Sequence, residues 1–92
     1  MKDTLTETER NYIKYEVIEK MIPDMNKATL FGTVERAQIM LETSLKQIMK
    51  DKNYEARIGF KDGIEKLILM LEVKHRECNE VISYSTPIAF RR

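Results

Sequence analysis

Apolar residues recur along three stretches of this chain at the steps of three and four that are typical of one face of an α-helix. In the first stretch, Thr6 followed by Glu9 has the spacing of a capping box and predicts that a helix begins at about residue 7. Pro23 predicts an end near residue 22, the alternative being a kink that lets one more turn reach Asn26. The apolar row of this helix is Tyr15, Ile18, Ile22 and Met25, with Ile13, Val17 and Met21 as a flanking row.

The second stretch predicts a helix over about 34–52, with Thr33 as its N-cap. Its apolar face consists of Val34, Ala37, Leu41, Leu45 and Ile48. The third stretch predicts a helix over about 62–82 and contains five consecutive apolar residues at 67–71. On a helix, five residues in a row point to every side. Such a helix has to be covered from more than one direction.

The last stretch, 83–92, has the only β-leaning composition in the chain. Thr86 precedes Pro87 and is therefore biased towards extended backbone. Ile88 and Phe90 would point the same way along a strand, which favours a docked tail. Pairing of this tail with residues 57–60 as a small β-ribbon is kept as a minor alternative. The overall prediction is an all-α fold, a three-helix antiparallel bundle of one domain (1–92) with a C-terminal extended tail.

The predicted bundle has more apolar residues than three helices can cover. Two neighbours cover only two sides of the third helix, and a chain of this size has a thin margin of stability. Symmetric dimers are the commonest soluble oligomers. We therefore expect oligomerisation to complete the core, as a homodimer or as a complex with a protein partner. The expected interface residues are Leu69, Met70, Val73, Ile13, Val17, Met21, Ile88 and Phe90.

Composition narrows the class of protein without naming it. The formal net charge of +1 gives no basis for nucleic-acid binding by charge alone. The single cysteine, Cys78, excludes an intrachain disulfide framework and favours a reducing compartment. The N-terminal stretch lacks an apolar signal core, and no apolar run approaches the length of a membrane span. We expect a cytoplasmic protein with no membrane partner.

Few residues suggest chemistry. His75 and Cys78 lie one helical turn apart, a spacing that can supply two zinc ligands or a nucleophile and its base. The chain has no other histidine or cysteine, so packing is the favoured interpretation and no metal, cofactor or catalytic residue is assigned. Basic residues gather near the end of the second helix (Lys46, Lys50, Lys52 and Arg57). Since Asp51 and Glu55 lie among them, a solvated helix end is the favoured interpretation.

The leading hypothesis is a small non-enzymatic interaction or regulatory protein that binds itself or a protein partner through an apolar helical face. A modulator or inhibitor from a bacterium or its phage is compatible with the Lys-, Glu-, Ile- and Met-rich composition. The first alternative is a nucleic-acid-associated transcriptional regulator, although the predicted helices and connections are too long for a helix-turn-helix. The second is a small dimeric helical enzyme with its active site between subunits.

Overall fold

Helices occupy the first half of the chain and a three-stranded antiparallel sheet the second half. The computed structural model describes residues 3–89. Within them the elements are α1 (Glu7–Asn11), a π-helical segment (Tyr12–Ile18), α2 (Glu19–Asn26), a 3₁₀ turn (Ala28–Phe31), α3 (Val34–Ile48), β1 (Tyr54–Asp62), β2 (Leu67–His75) and β3 (Ile82–Ile88). The prediction of an all-α bundle is therefore wrong, and the fold is α+β.

The segment predicted as the third helix forms the central strand. Leu69, Leu71 and Val73 of β2 are fully buried, whereas Ile68 and Met70 on the opposite face are half-buried. Successive side chains of a strand point to opposite faces, so a run of apolar residues divides into two rows. The two neighbouring strands pair with such a run along its edges, and one layer of helices covers its inner row. The predicted need for a covering molecule came from the helical geometry and does not apply to a strand.

The predicted tail becomes the third strand, with a different partner from the one expected. The strand order is β1–β2–β3, and Ile58, Leu71 and Tyr84 lie side by side across it. β3 therefore pairs with β2, and the minor alternative of a ribbon between the tail and 57–60 is wrong. Both β1 and β3 have one unpaired edge in the described part of the chain.

A tight turn at 63–66 joins β1 to β2. The Gly63 amide donates to the Lys66 carbonyl at 2.8 Å. A Cβ at Gly63 would lie 2.7 Å from that carbonyl oxygen, so glycine permits the close approach of the two strands. Glu65 has a φ of 83°, in the left-handed region that favours glycine.

The first helix is the continuous run of α1, the π-helical segment and α2. Thr6 and Glu9 cap each other reciprocally, as their spacing predicts. The Glu19 amide bonds to the Lys14 carbonyl, five residues back, which is the hydrogen bond of a π-helix. The helix passes Pro23 and ends at Asn26, as in the longer of the two alternatives.

The π-helical segment changes which face of the first helix is buried. Ile13, Val17, Met21 and Met25 are fully buried, whereas Tyr15 is 47% exposed. In an α-helix, residues four apart drift around the axis; the wider turn of a π-helix, with hydrogen bonds to the fifth residue back, reduces that drift. The row interpreted as a flank therefore faces the core, together with Ile18 and Met25 of the predicted main row.

The second predicted helix, α3, is shorter than the expected range of 34–52. Thr33 caps it by accepting a hydrogen bond from the Arg36 amide, and Met49 after its last residue has extended backbone. Ala37, Leu41 and Leu45 are buried. The core lies between this face, the first helix and the inner face of the sheet. Among residues 3–89, no helix is both long enough and apolar enough to cross a membrane.

Candidate protein-interaction surface

The free edge of β1 presents backbone hydrogen-bonding groups that β2 does not use. At one end the Asn53 carbonyl accepts from the Arg76 amide, and at the other the Gly63 amide donates to Lys66, both at 2.8 Å. In an antiparallel pair these groups alternate in direction along the strand. Odd-numbered residues of β1 therefore bond to β2, and even-numbered residues direct their N–H and C=O groups outwards. Ala56 and Ile58 are at the centre of this edge.

The opposite edge of the sheet is blocked. By the same alternation the odd-numbered residues of β2 bond to β3, where Val73 faces Ile82 and Leu67 faces Ile88. The odd-numbered residues of β3 therefore face outwards, and Pro87 is one of them. Proline has no N–H to donate, and its ring occupies the edge. Of the two edges only that of β1 runs without a proline along its nine residues.

A groove of about 560 Å³ runs between α3 and this open edge. Its apolar lining includes Leu45 and Met49 on the helical side and Ala56 and Ile58 on the strand. The amide group of Gln38, from α3, reaches the Ile58 carbonyl at 3.4 Å, a long hydrogen bond. The groove is lined by Gln38, Glu42, Leu45, Lys46, Met49, Tyr54, Glu55, Ala56, Arg57, Ile58 and Arg76.

Some charged residues around the groove form ion pairs with neighbours on the sheet, and others do not. On the outer face of the sheet, Glu55 pairs with Lys74 at 3.4 Å, and Arg57 with Glu72 at 3.7 Å. Two further cations, Lys46 and Arg76, line the groove and form no ion pair among residues 3–89. Both are near the start of β1, because Arg76 bonds to Asn53 and Lys46 is in the last turn of α3. Glu42 also lines the groove, one turn before Lys46, and its carboxylate accepts from the Gln38 amide group at 3.0 Å. The end of the groove at the start of β1 therefore has two cations without an ion-pair partner in the described part of the chain.

A second exposed apolar surface lies on the other side of α3. Leu30 is 79% exposed and Ile39 63% exposed. They line a shallow groove of about 490 Å³ together with Phe31, Arg36 and Met40. Unlike the β1 edge, this surface presents side chains without a row of backbone donors and acceptors.

The residues predicted to form an interface are mostly inside the protein. Ile13, Val17, Met21, Leu69 and Val73 have no exposed surface, and Ile88 is 6% exposed. Met70 is half-buried on the outer face of the sheet, opposite Gly59. Phe90 lies outside the described residues. Among residues 3–89, the helices and sheet of one chain therefore cover these predicted interface side chains, except that of Met70.

His75 and Cys78 both have hydrogen-bond partners in the connection after β2, and His75 also lies near the start of the first helix. The His75 Nδ1 atom accepts from the Glu77 amide at 3.2 Å, and its Nε2 atom lies 3.5 Å from the Glu9 carboxylate. The Cys78 sulfur is buried and accepts from the Glu80 amide at 3.4 Å. These contacts fit the packing role favoured from sequence.

Tyr12 and Tyr54 pack next to His75, and the three rings form an aromatic cluster. The rings of Tyr12 and Tyr54 have centroids 4.3 Å apart, and His75 meets Tyr54 edge-on at 5.0 Å. Burial raises the pKa of both tyrosines, and nearby carboxylates add to this effect: Asp51 for Tyr12 and Glu9 for Tyr54. No group of three or more potential metal-binding side chains occurs among residues 3–89. The cluster joins the first helix to the sheet.

The β1 edge was not predicted from the sequence, because its position depends on which segments pair. The one sequence signal was Pro87, which excludes a central position for its own strand. No protein-family model, curated protein or solved structure matches the chain. The interpretation of this surface therefore depends on its geometry.

Proposed function

We propose that the chain is a non-enzymatic protein-interaction module that binds a polypeptide strand of a partner along the open edge of β1 and thereby modulates that partner. The observation that carries this proposal is the outward-facing backbone of Ala56 and Ile58 beside an apolar groove. An added strand forms main-chain hydrogen bonds to such an edge, and alternate side chains enter neighbouring pockets. The sheet edge thus supplies affinity, and the groove beside α3 supplies selectivity.

The two edges of the sheet support the choice of surface. Exposed strand edges are sites of unwanted pairing, and proteins block them with proline, charge or a covering element. Pro87 provides this protection on β3. On the edge of β1, the outward carbonyl of Ile58 accepts a long hydrogen bond from Gln38, which an incoming amide can replace.

A non-enzymatic role is supported by the surroundings of the groups best suited to catalysis. The Cys78 sulfur is buried, and only 14% of the His75 side chain is exposed. A nucleophile or general base must reach its substrate. The proposal includes a cytoplasmic location, which the reduced, buried thiol of Cys78 supports.

The test compares two proline variants that affect opposite edges. Ala56→Pro removes an outward N–H from β1, and Ser85→Pro removes one from β3; neither breaks a hydrogen bond to β2. We expect affinity capture from source cells, quantified by mass spectrometry, to recover the same partner with the wild-type chain and Ser85→Pro and to lose it with Ala56→Pro. A partner retained by all three baits would contradict the proposal, provided that circular dichroism shows all three folded.

A further inference from the structure

We propose that the β1 groove takes an extended segment of a partner protein in antiparallel orientation, with apolar residues at alternate positions and acidic residues at its C-terminal end. This inference rests on the proposed function and adds the direction and chemistry of the ligand. It follows from the alternation of β1, the lining of the groove and the position of its unpaired cations.

The alternation of β1 sets the spacing of the apolar residues. The side chains of Ala56 and Ile58 point to the inner face, where Leu45 and Met49 line the groove. In an antiparallel ladder, residues directly opposite each other point to the same face. The ligand residues opposite Ala56 and Ile58 are two positions apart, and both enter the groove. Apolar side chains at these positions would cover the exposed apolar lining.

The direction of the added strand and the two cations together determine where the acidic residues of the ligand lie. Antiparallel pairing is slightly more stable per residue than parallel pairing, so we assign the added strand the direction opposite to β1. Its C-terminal end then lies at the start of β1, beside Lys46 and Arg76. Because these cations have no ion-pair partner among residues 3–89, acidic side chains of the ligand can pair with them. Charge complementarity of this kind contributes more to specificity and association rate than to affinity.

The overhang of α3 favours a peptide segment over a second copy of the chain. The side chain of Gln38, from α3, contacts the outward carbonyl of Ile58, so α3 lies beside the open edge of β1. A helix with its side chains is about 10 Å in diameter, whereas adjacent strands are about 4.8 Å apart. A second β1 would bring its own α3 against this one. An isolated strand has no such helix.

The test uses two synthetic peptides of identical composition, acetylated and amidated so that their termini carry no charge. In both, two valines alternate with threonines; two glutamates stand at the C-terminal end of one peptide and at the N-terminal end of the other. We expect the C-terminal version to bind more tightly, with NMR shifts concentrated at the amides of Ala56 and Ile58. Lys46→Glu should weaken its binding by about three- to tenfold and reduce the difference between the peptides.

The outcomes separate this inference from the proposed function. If both peptides bind equally and Ala56→Pro abolishes binding, the acidic, directional ligand is wrong and strand addition stands. If the shifts map away from β1, or binding survives Ala56→Pro, both are wrong. If neither peptide binds at about 1 mM and sedimentation equilibrium shows a dimer that Ala56→Pro dissociates, the edge pairs with a second copy and the peptide ligand is wrong. No binding and no dimer would contradict both.

Discussion

The Glu80 carboxylate lies 2.7 Å from the Arg10 guanidinium, although 70 residues separate them in the chain. The same oxygen also accepts from the Leu5 amide at 2.9 Å. Together these bonds tie the start of the first helix to the connection between β2 and β3. The Glu80 side chain is only 24% exposed, so these contacts are partly shielded from water.

Removal of this carboxylate tests whether the contact holds the two layers together. We expect Glu80→Ala to lower the free energy of unfolding by about 1–3 kcal/mol, because hydrogen bonds to a charged group are lost and the Leu5 amide loses its acceptor. Glu16→Ala is the matched control. It breaks a 2.8 Å pair with Lys20 on the exposed helix surface and should cost about 0.3–0.5 kcal/mol. Equal losses in urea denaturation would contradict the proposed role of Glu80.

Adjacent residues of β2 test the strand assignment. We expect Leu71→Ala to cost about 2–5 kcal/mol, because the side chain is fully buried between the sheet and the helices. Met70→Ala should cost about 1 kcal/mol or less, since Met70 faces the outer side. Chemical denaturation measures both values. A helix covered on all sides would lose similar amounts at the two positions.

The turn between β1 and β2 tests the effect of a left-handed residue. Glu65→Gly should raise the free energy of unfolding by about 1 kcal/mol, because glycine adopts a φ of 83° without a Cβ clash. Gly63→Ala should lower it, since the new methyl group would lie 2.7 Å from the Lys66 carbonyl oxygen. Gly59→Ala, where nothing lies within 4 Å of the added atom, serves as the control. Thermal unfolding of the three variants gives their order.

The tyrosine pair predicts how stability depends on pH. Burial raises the pKa of Tyr12 and Tyr54 above the usual value of 10.0. The folded state therefore holds these protons more tightly than the unfolded state, and their contribution to stability is complete below pH 10. It is lost as the pH rises from 10 through the raised pKa values.

Phenylalanine variants isolate this effect. In Tyr12→Phe/Tyr54→Phe, the free energy of unfolding should fall less steeply above pH 10 than in the wild type. Tyr15→Phe, at an exposed position on the first helix, is the control and should follow the wild-type curve. Parallel curves for the double variant and the wild type would show that the two rings do not cause the alkaline loss.

Local interactions allowed parts of the helical half to be predicted. Thr6 with Glu9 and Thr33 with Arg36 form the two helix starts, because a cap depends on residues three positions apart. The buried row of the first helix was only partly recognised: Ile13, Val17 and Met21 were interpreted as a flank and Met25 as part of the main row, whereas all four are buried at a uniform spacing of four. The uniform spacing of four was the signal of a helix wider than an α-helix. A search for the α-helical period of 3.6 residues does not detect it.

The amino-acid sequence by itself determined where apolar side chains occur, where the first and second helices begin and that Pro87 does not belong in a central strand, where its missing N–H would break the ladder. It did not determine whether Leu67–Leu71 winds as a helix or extends, because a continuous apolar run satisfies either geometry once neighbours cover it. Tertiary structure decided this by pairing the segment with β1 on one side and β3 on the other. The same pairing left the backbone of Ala56 and Ile58 facing outwards, since hydrogen-bond direction along a strand depends on which neighbour it has.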